Sequence, residues 1–551
     1  MTSTPSTNLT LDPTIVRGYD VRGYIRTVMH GAKTLKQNLT PELAEAFGRA
    51  LGTLIEKGKT VAVTSDHRML SPELVAGLTR GFVRVGINVL HNTPQPIYGN
   101  QPYLPTGALS WTLIKNNLAG SVQVTGSHNP PEFNGFKISI GLEALFGEAL
   151  QKIIPMISGG KFRPDVAKEE QGKIQQKDLL ADYLSMLRCA FPRFSHHHNI
   201  VVDVGNGIGR VITPVLQHAG CDVLELYPEP DARFPNHLAD PSSEEGTGDL
   251  KKRIRELNKG QKNPDARYIG IALDGDSDRS GLVDEEGEVI WPERMAAIFY
   301  ANYLKAPEHR GHVLALDVRA SNVVRDQVEQ AGGRGLFIPA GYPSHRRFAS
   351  LVAPDIGKTR VGVSAEASGH FFFPTGAMDE RGQHVPHAES YLIDDGIYSA
   401  LAFLNILDQH TLGKKTSVVS LMSSLPTYAT SNELRLFAPD EQKERVVASL
   451  RDALVAHYKS ELAETRPMQT ISGLKLQDGH AAIIEVDGIR LQFKDGAWLV
   501  VRMSNTSPML VIKFEAKTKD RLAELMQVVR SLLEKESDVE KSSLDQELAH
   551  L

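Results

Sequence analysis

Three times along the chain an apolar, β-branched run ends on a polar residue, passes into an amphipathic stretch, and returns through a glycine to a second apolar run. The first repeat is VAVTSD (Val61 to Asp66), then Gly86 and INVL. The second is IVVD (Ile200 to Asp203), then Gly220 and CDVLEL, and the third is LALD (Leu314 to Asp317), then Gly332 and GRGLFI. Asp66 to Gly86, Asp203 to Gly220 and Asp317 to Gly332 span 20, 17 and 15 positions, room for one helix between two strands. Each repeat continues into a further strand that empties into a short loop of small polar residues: SVQVT into GSHNP (Gly126 to Pro130), YIGIALD into GDSDR (Gly275 to Arg279), and VGVSAE into ASGH (Ala367 to His370). Open α/β sheets hold their ligands at such strand ends.

After about residue 410 the pattern changes. A charge-rich helix is expected over Asp440 to Lys459. Alternating strands follow (AAIIEV, IRLQF, AWLVVRM), then the loop SNTSP, the strand MLVIKFEA and a last helix. That order is α+β. The expected fold class is therefore α/β: three similar α/β domains with mixed sheets, over 1–173, 174–290 and 291–410, plus a C-terminal α+β domain over 411–551. Residues 535–551 are charge-rich and expected to fray.

A chain of 551 residues agrees with three to four domains. Its 61 Lys and Arg against 66 Asp and Glu leave a net charge of −5, so no overall field attracts nucleic acid or anionic lipid, and any anion must be held by local clusters. Cys189 and Cys221 are too few for a disulfide framework and are expected as two buried thiols in a reducing compartment. The lead MTSTPSTNLTLDPT has no basic and apolar signal regions and is expected to be disordered. Four prolines interrupt the longest charge-free run, Val85 to Ile114. The expectation is a cytoplasmic protein with no membrane, nucleic-acid or protein partner.

Four loops carry the candidate chemistry. DGDSDR sets Asp274, Asp276 and Asp278 at alternate positions, where three hard carboxylates repel one another unless a divalent cation, most naturally Mg²⁺, sits among them. Asp274, Asp276, Asp278 and Glu285 also match positions 1, 3, 5 and 12 of an EF-hand, but Arg279 stands where that loop needs Gly and a strand precedes it. TGSHNPPEFNGFKI projects Ser127 between Gly126 and His128, with Lys137 ten residues on, groups that shift protons or hold phosphate oxygens. RMSNTSP combines the guanidinium of Arg502 with Ser504, Asn505 and Thr506, donors suited to a phosphate dianion. AEASGH offers Glu366, Ser368 and His370 to sugar hydroxyls.

Taken together, TGSHNP, DGDSDR, AEASGH and RMSNTSP, in that order, with YDVRG (Tyr19 to Gly23) before them and FPNHLADP (Phe234 to Pro241) between, resemble the α-D-phosphohexomutase superfamily of phosphoglucomutases and phosphomannomutases over nearly the whole chain. Ala365 departs from that family's usual Gly, the third domain reads Ala340, Gly341, Tyr342 in place of T-G-H, and Arg319 stands where a Lys usually meets the substrate.

The resemblance implies a phosphohexomutase that interconverts hexose 1-phosphate and hexose 6-phosphate, of mannose, glucose or both. It implies a phosphoserine at Ser127 and a bound hexose 1,6-bisphosphate that also acts as activator. Ser127, Asp274, Asp276 and Asp278 would ligate Mg²⁺. His128, Lys137, Arg22 and His370 would move protons and support charge, with Asn129 and Arg279 supporting the phosphoserine. Tyr19, Arg319, Gly341, Glu366, Ser368, Arg502, Ser504, Asn505 and Thr506 would bind the sugar phosphate, the only partner implied. Retaining an intermediate while it reverses favours four domains around a central cleft, with the fourth as a mobile lid. A phosphoglucosamine mutase, a hexose-bisphosphate synthase or phosphatase using the same serine, and a sugar-phosphate-binding protein with a dead site are the alternatives.

Overall fold

In the first repeat, strand Thr60–Ser65 pairs in parallel with Asn88–Asn92 on one side and Gly120–Val124 on the other. Phe133–Ile140 and Val21–Tyr24 extend the sheet antiparallel beyond Gly120–Val124. The computed structural model describes residues 11–30, 33–352, 362–374, 391–410, 416–504 and 508–551. The crossover helix Ser71–Arg84 starts on Pro72 and Glu73, both favourable in a first turn, and buries Leu74, Leu78 and Phe82, one stripe at i, i+4, i+8. It packs closely on helix Pro41–Thr53: a Cβ at Gly77 or Gly81 would stand 2.3 Å from the carbonyl oxygen of Pro41 or 2.2 Å from that of Glu45.

The second repeat has the same order. Asn199–Asp203 lies between the parallel strands Asp222–Leu226 and Tyr268–Leu273, and Ser280–Val283 follows antiparallel. Helix Glu244–Asn258, capped by the Ser243 hydroxyl accepting from the Gly246 N–H, covers it with Leu250 and Ile254. Residues 1–291 and 368–420 form one compact unit, the latter segment adding the antiparallel strands Phe371–Pro374 and Leu392–Asp394 and helix Gly396–Gln409.

Residues 292–367 and 421–551 form a second unit. Here Val313–Asp317 and Arg334–Ile338 are parallel, but the outer edge of Arg334–Ile338 is taken by Leu474–Asp478, antiparallel, from the fourth region. The fourth region, expected as a separate lid, thus shares a sheet with the third. Its own sheet is antiparallel, built on Ile489–Gln492, Trp498–Met503 and Met509–Ala516, with helices Lys443–His457 and Lys519–Leu532 supplying Leu450, Leu454, Leu525 and Val529 to the core.

Several local expectations change. Residues 1–10 of the lead lie outside the described residues, but Leu11 is buried and Asp12 caps a short helix Pro13–Ile15. The charged end is helical over Ser542–His550, because Leu544 is fully buried and Asp545 pairs with Arg530. Cys221 is buried but Cys189 is exposed. Strand Ile174–Lys177, placed in the second domain by the sequence division, pairs with Asn88–Asn92 of the first sheet. No described helix is long and apolar enough to cross a membrane.

Candidate active site

Strand Gly120–Val124 delivers the serine loop at its C-terminal end. Thr125 anchors the turn: its hydroxyl accepts from the Ser127 N–H at 2.8 Å and donates to Asp66 at 2.6 Å. Ser127 has φ of +53°, a left-handed conformation that costs a non-glycine residue about 1–2 kcal/mol and is held where surroundings over-determine it. The turn brings Ser127 Oγ to 3.1 Å from Asp274 Oδ2, to which it donates, and to 3.3 Å from His128 Nδ1. Asn129 closes the turn with its N–H on the Gly126 carbonyl at 3.0 Å.

The facing loop leaves strand Tyr268–Leu273 at the same kind of end and returns as Ser280–Val283, with Ser277 also left-handed at φ of +63°. Asp274, Asp276 and Asp278 are completely buried and each brings an oxygen within 4.8 Å of the others. A Cβ on Gly275 would stand 2.8 Å from the Ser127 carbonyl, so the close approach of the two loops requires glycine there. Burial raises the pKa of Asp274 well above the carboxylate range, and the charges of Asp278 and Asp276 push it further. Burial and Asp276 lift Asp278 to about 7. Burial opposes ionisation of Asp276 too, but Lys137 and a hydrogen bond from Thr106 at 2.7 Å overcome it and hold this carboxyl below its usual range. Lys137 Nζ, on strand Phe133–Ile140, lies 2.8 Å from Asp276 Oδ2 and also bonds Asp278 Oδ2. Asp276 Oδ1 and Asp278 Oδ1 are buried without a hydrogen-bond partner among the described residues. Hard oxygens, crowded and partly orphaned, are the donor set a divalent cation such as Mg²⁺ satisfies.

His370 borders this cluster. Its Nε2 accepts from Arg279 Nε at 2.9 Å, which leaves Nδ1 as the protonated nitrogen of the neutral ring, 3.6 Å from Asp278 and 3.8 Å from Asp394. Arg22 bonds the Thr125 carbonyl and pairs with Asp20 at 2.8 Å, while Tyr19, half-buried, sits two residues before β-strand Val21–Tyr24. Ser368 Oγ is buried with no hydrogen-bond partner among the described residues. The first unit therefore brings together Ser127, His128, Lys137, Arg22, Arg279, His370 and the three aspartates.

In the second unit, Arg319 follows strand Val313–Asp317, and its guanidinium donates to Asp317 at 2.7 and 3.0 Å, to Glu366 at 2.9 Å and to Glu433 at 2.9 Å. Burial works against each of these charges, but Arg319 and its neighbours outweigh it, holding Glu433 down at about 2. Gly341, at φ of +112°, starts helix Tyr342–Arg347. Arg502 Nε donates to Asp487 at 2.8 Å, and the Lys443 ammonium donates to the Ser504 carbonyl at 3.1 Å. Asn505 and Thr506 lie outside the described residues.

Sequence reasoning missed Arg68, Thr106, Asp394, Glu433 and Asp487. Each lies well along the chain from the site group it holds, Ser127, Asp276, His370, Arg319 and Arg502 in turn, and no local pattern marks it.

Models for phosphoglucomutase/phosphomannomutase match the chain four times: alpha/beta/alpha domain I at residues 14–161, domain II at 182–287, domain III at 291–428 and the C-terminal domain at 437–549. The chain belongs to the phosphoglucomutase/phosphomannomutase family. A phosphomannomutase/phosphoglucomutase of Pseudomonas aeruginosa is 31% identical over 95% of this chain and 96% of its own. A phosphoglucomutase of Neisseria meningitidis is 30% identical over 94% and 96%. Among solved structures, a phosphoglucomutase/phosphomannomutase family protein from Burkholderia thailandensis matches with a TM-score of 0.72 at 26% identity, covering 96% of this chain and 98% of that one. Members of this family are isomerases, mutases that move a phosphoryl group within a sugar.

Proposed function

We propose that the chain is a phosphohexomutase interconverting hexose 1-phosphate and hexose 6-phosphate, with glucose or mannose as the hexose. The observation that carries the reading is Ser127 Oγ bonded to Asp274 of a buried three-aspartate cluster, in a chain of this family.

In this reading Ser127 carries a phosphoryl group. A sugar hydroxyl oxygen bonds to phosphorus as the Oγ–P bond breaks, and the hydroxyl proton passes, in net, to Ser127 Oγ. His128, with Nδ1 3.3 Å from Oγ, is placed to relay it. The resulting hexose 1,6-bisphosphate turns over and returns its other phosphoryl group to Ser127 by the reverse exchange. Asp274, Asp276, Asp278 and Ser127 would hold Mg²⁺, which neutralises phosphoryl charge when bound. Lys137, kept protonated by Asp276 and Asp278 against the cost of its burial, adds fixed positive charge beside the transferred group, as does Arg22. His370, tied to Arg279, presents its Nδ1 proton, and Asn129 steadies the serine turn.

Arg502 and Ser504, with Asn505 and Thr506, would bind the phosphate that is not reacting. Glu366 and Ser368 would read sugar hydroxyls, with Tyr19, Gly341 and Arg319 completing the binding set. Sugar phosphates are then the only partners needed, hexose 1,6-bisphosphate is the activator, and a chain with only two cysteines suits the cytoplasm. Intact mass before and after incubation with glucose 1,6-bisphosphate tests the reading: wild-type protein gains one phosphoryl group and Ser127→Ala gains none. A Ser127→Ala protein that retained most of its turnover would refute it.

A further inference from the structure

We propose that Arg68 is a positioning residue for phosphoryl transfer: its buried guanidinium gathers the carbonyls of the serine loop and so fixes the turn that presents Ser127 Oγ. The inference rests on the reading of Ser127 as phosphoryl carrier.

Arg68 follows strand Thr60–Ser65, and its side chain has no exposure at all. Nη2 donates to the carbonyls of Ser127 at 2.5 Å and Asn129 at 2.6 Å, and Nη1 to those of Pro130 at 2.9 Å and Phe133 at 3.1 Å. One fork thus holds three carbonyls of a loop that has no strand or helix of its own, and the first carbonyl of the strand Phe133–Ile140 that follows it. The charge is matched by Asp66, 3.4 Å from Nε and equally buried; Asp66 in turn accepts from Thr125, whose hydroxyl fixes the Ser127 N–H. Both ends of the Ser127 peptide, N–H and carbonyl, are therefore tied to this single ion pair. The Phe234 ring lies 5.0 Å over the guanidinium, which gives the second-domain segment FPNHLADP a role in the serine site. The same packing explains Gly126: a Cβ there would stand 2.6 Å from Nε, Cζ and Nη1 of Arg68.

A planar fork reaches carbonyls on both of its edges, whereas an ammonium donates from one point and cannot span four. Arg68→Lys therefore keeps the charge and loses the geometry. Displacing a nucleophile by a fraction of an ångström slows transfer but leaves sugar-phosphate binding to other groups. We expect Arg68→Lys to lower kcat at least tenfold, with KM for glucose 1-phosphate unchanged within twofold, and to slow phosphoryl uptake from glucose 1,6-bisphosphate by a similar factor. Gly126→Ala pushes the guanidinium aside without touching its charge, and should reproduce that split even if Arg68→Lys fails to fold. Overturning results are a folded Arg68→Lys, or a Gly126→Ala, with kcat within threefold of wild type, or a defect confined to KM. Wild-type protein that takes up no phosphoryl group would instead refute the mutase reading itself.

Discussion

Replacing Arg490 with Met sets two large effects against each other. Arg490 is fully buried, its guanidinium 3.7 Å over the Trp498 ring and 4.4 Å over that of Phe337. Nη1 donates to the carbonyls of Val318 at 2.9 Å and Ala320 at 2.8 Å, the two residues flanking Arg319. Met fills a similar apolar volume, but it strands two buried carbonyls at about 1–3 kcal/mol each and forfeits desolvated cation–π contacts worth about 2 kcal/mol. Against this, burial depresses the Arg490 pKa well below its usual value, so removing the charge recovers several kcal/mol of desolvation. The carbonyls and rings together outweigh that gain, leaving a net destabilisation on the order of 2–4 kcal/mol and a calorimetric transition lowered by roughly 10 °C. Because the freed carbonyls flank Arg319, KM for hexose phosphate should rise as well. A variant as stable as wild type, or more so, would show that desolvation dominates and that Arg490 does not hold the Arg319 turn.

Asp276→Asn removes an anionic oxygen together with the partner of Lys137 and Thr106, and should weaken Mg²⁺ binding at least about tenfold by isothermal titration, ~1.4 kcal/mol. Arg502→Ala should cost about 2–4 kcal/mol in kcat/KM, mainly as a raised KM, since a non-reacting phosphate is held alike in ground and transition states; a pure kcat defect contradicts that role. His237 is raised to about 9, because the bond and charge of Asp203, 3.1 Å away, outweigh its burial. Its folded pKa exceeds the unfolded value of about 6.5, so its stabilisation is complete below pH 6.5 and is lost as pH rises through 9. The Tm advantage of wild type over His237→Asn should shrink across that window, and a constant difference would exclude the pair as its source.

Much of the fold was legible because each repeat obeys local rules. The runs ending at Asp66, Asp203 and Asp317 are strands or run straight out of one, and each returns through a left-handed glycine at Gly86, Gly220 or Gly332. The third repeat was harder to read: of VGVSAE only Ser364–Ala365 is a described strand, and the sheet edge is filled by Leu474–Asp478, more than a hundred residues on. No local period encodes a pairing of that span. The charge count of the last segment predicted fraying because it could not show that Leu544 meets a prepared apolar site.

The aspartates of DGDSDR could be read because their crowding is itself a sequence feature: three carboxylates at alternate positions repel one another and, buried together, suit a cation. Arg68 and Arg490 carry no such mark. An isolated arginine in a sequence is most often solvated, so nothing local separates these two from the rest. Only topology brings Arg68 beneath the serine loop and Arg490 behind the Arg319 turn. Yet such loops, lacking ladder partners of their own, must have their buried carbonyls satisfied by something. A guanidinium answers that need with several donors fixed in one plane, so a loop free of regular structure is still held in one conformation. The residues proposed to react are therefore visible in the sequence, and those that make them rigid become visible only when the chain is folded.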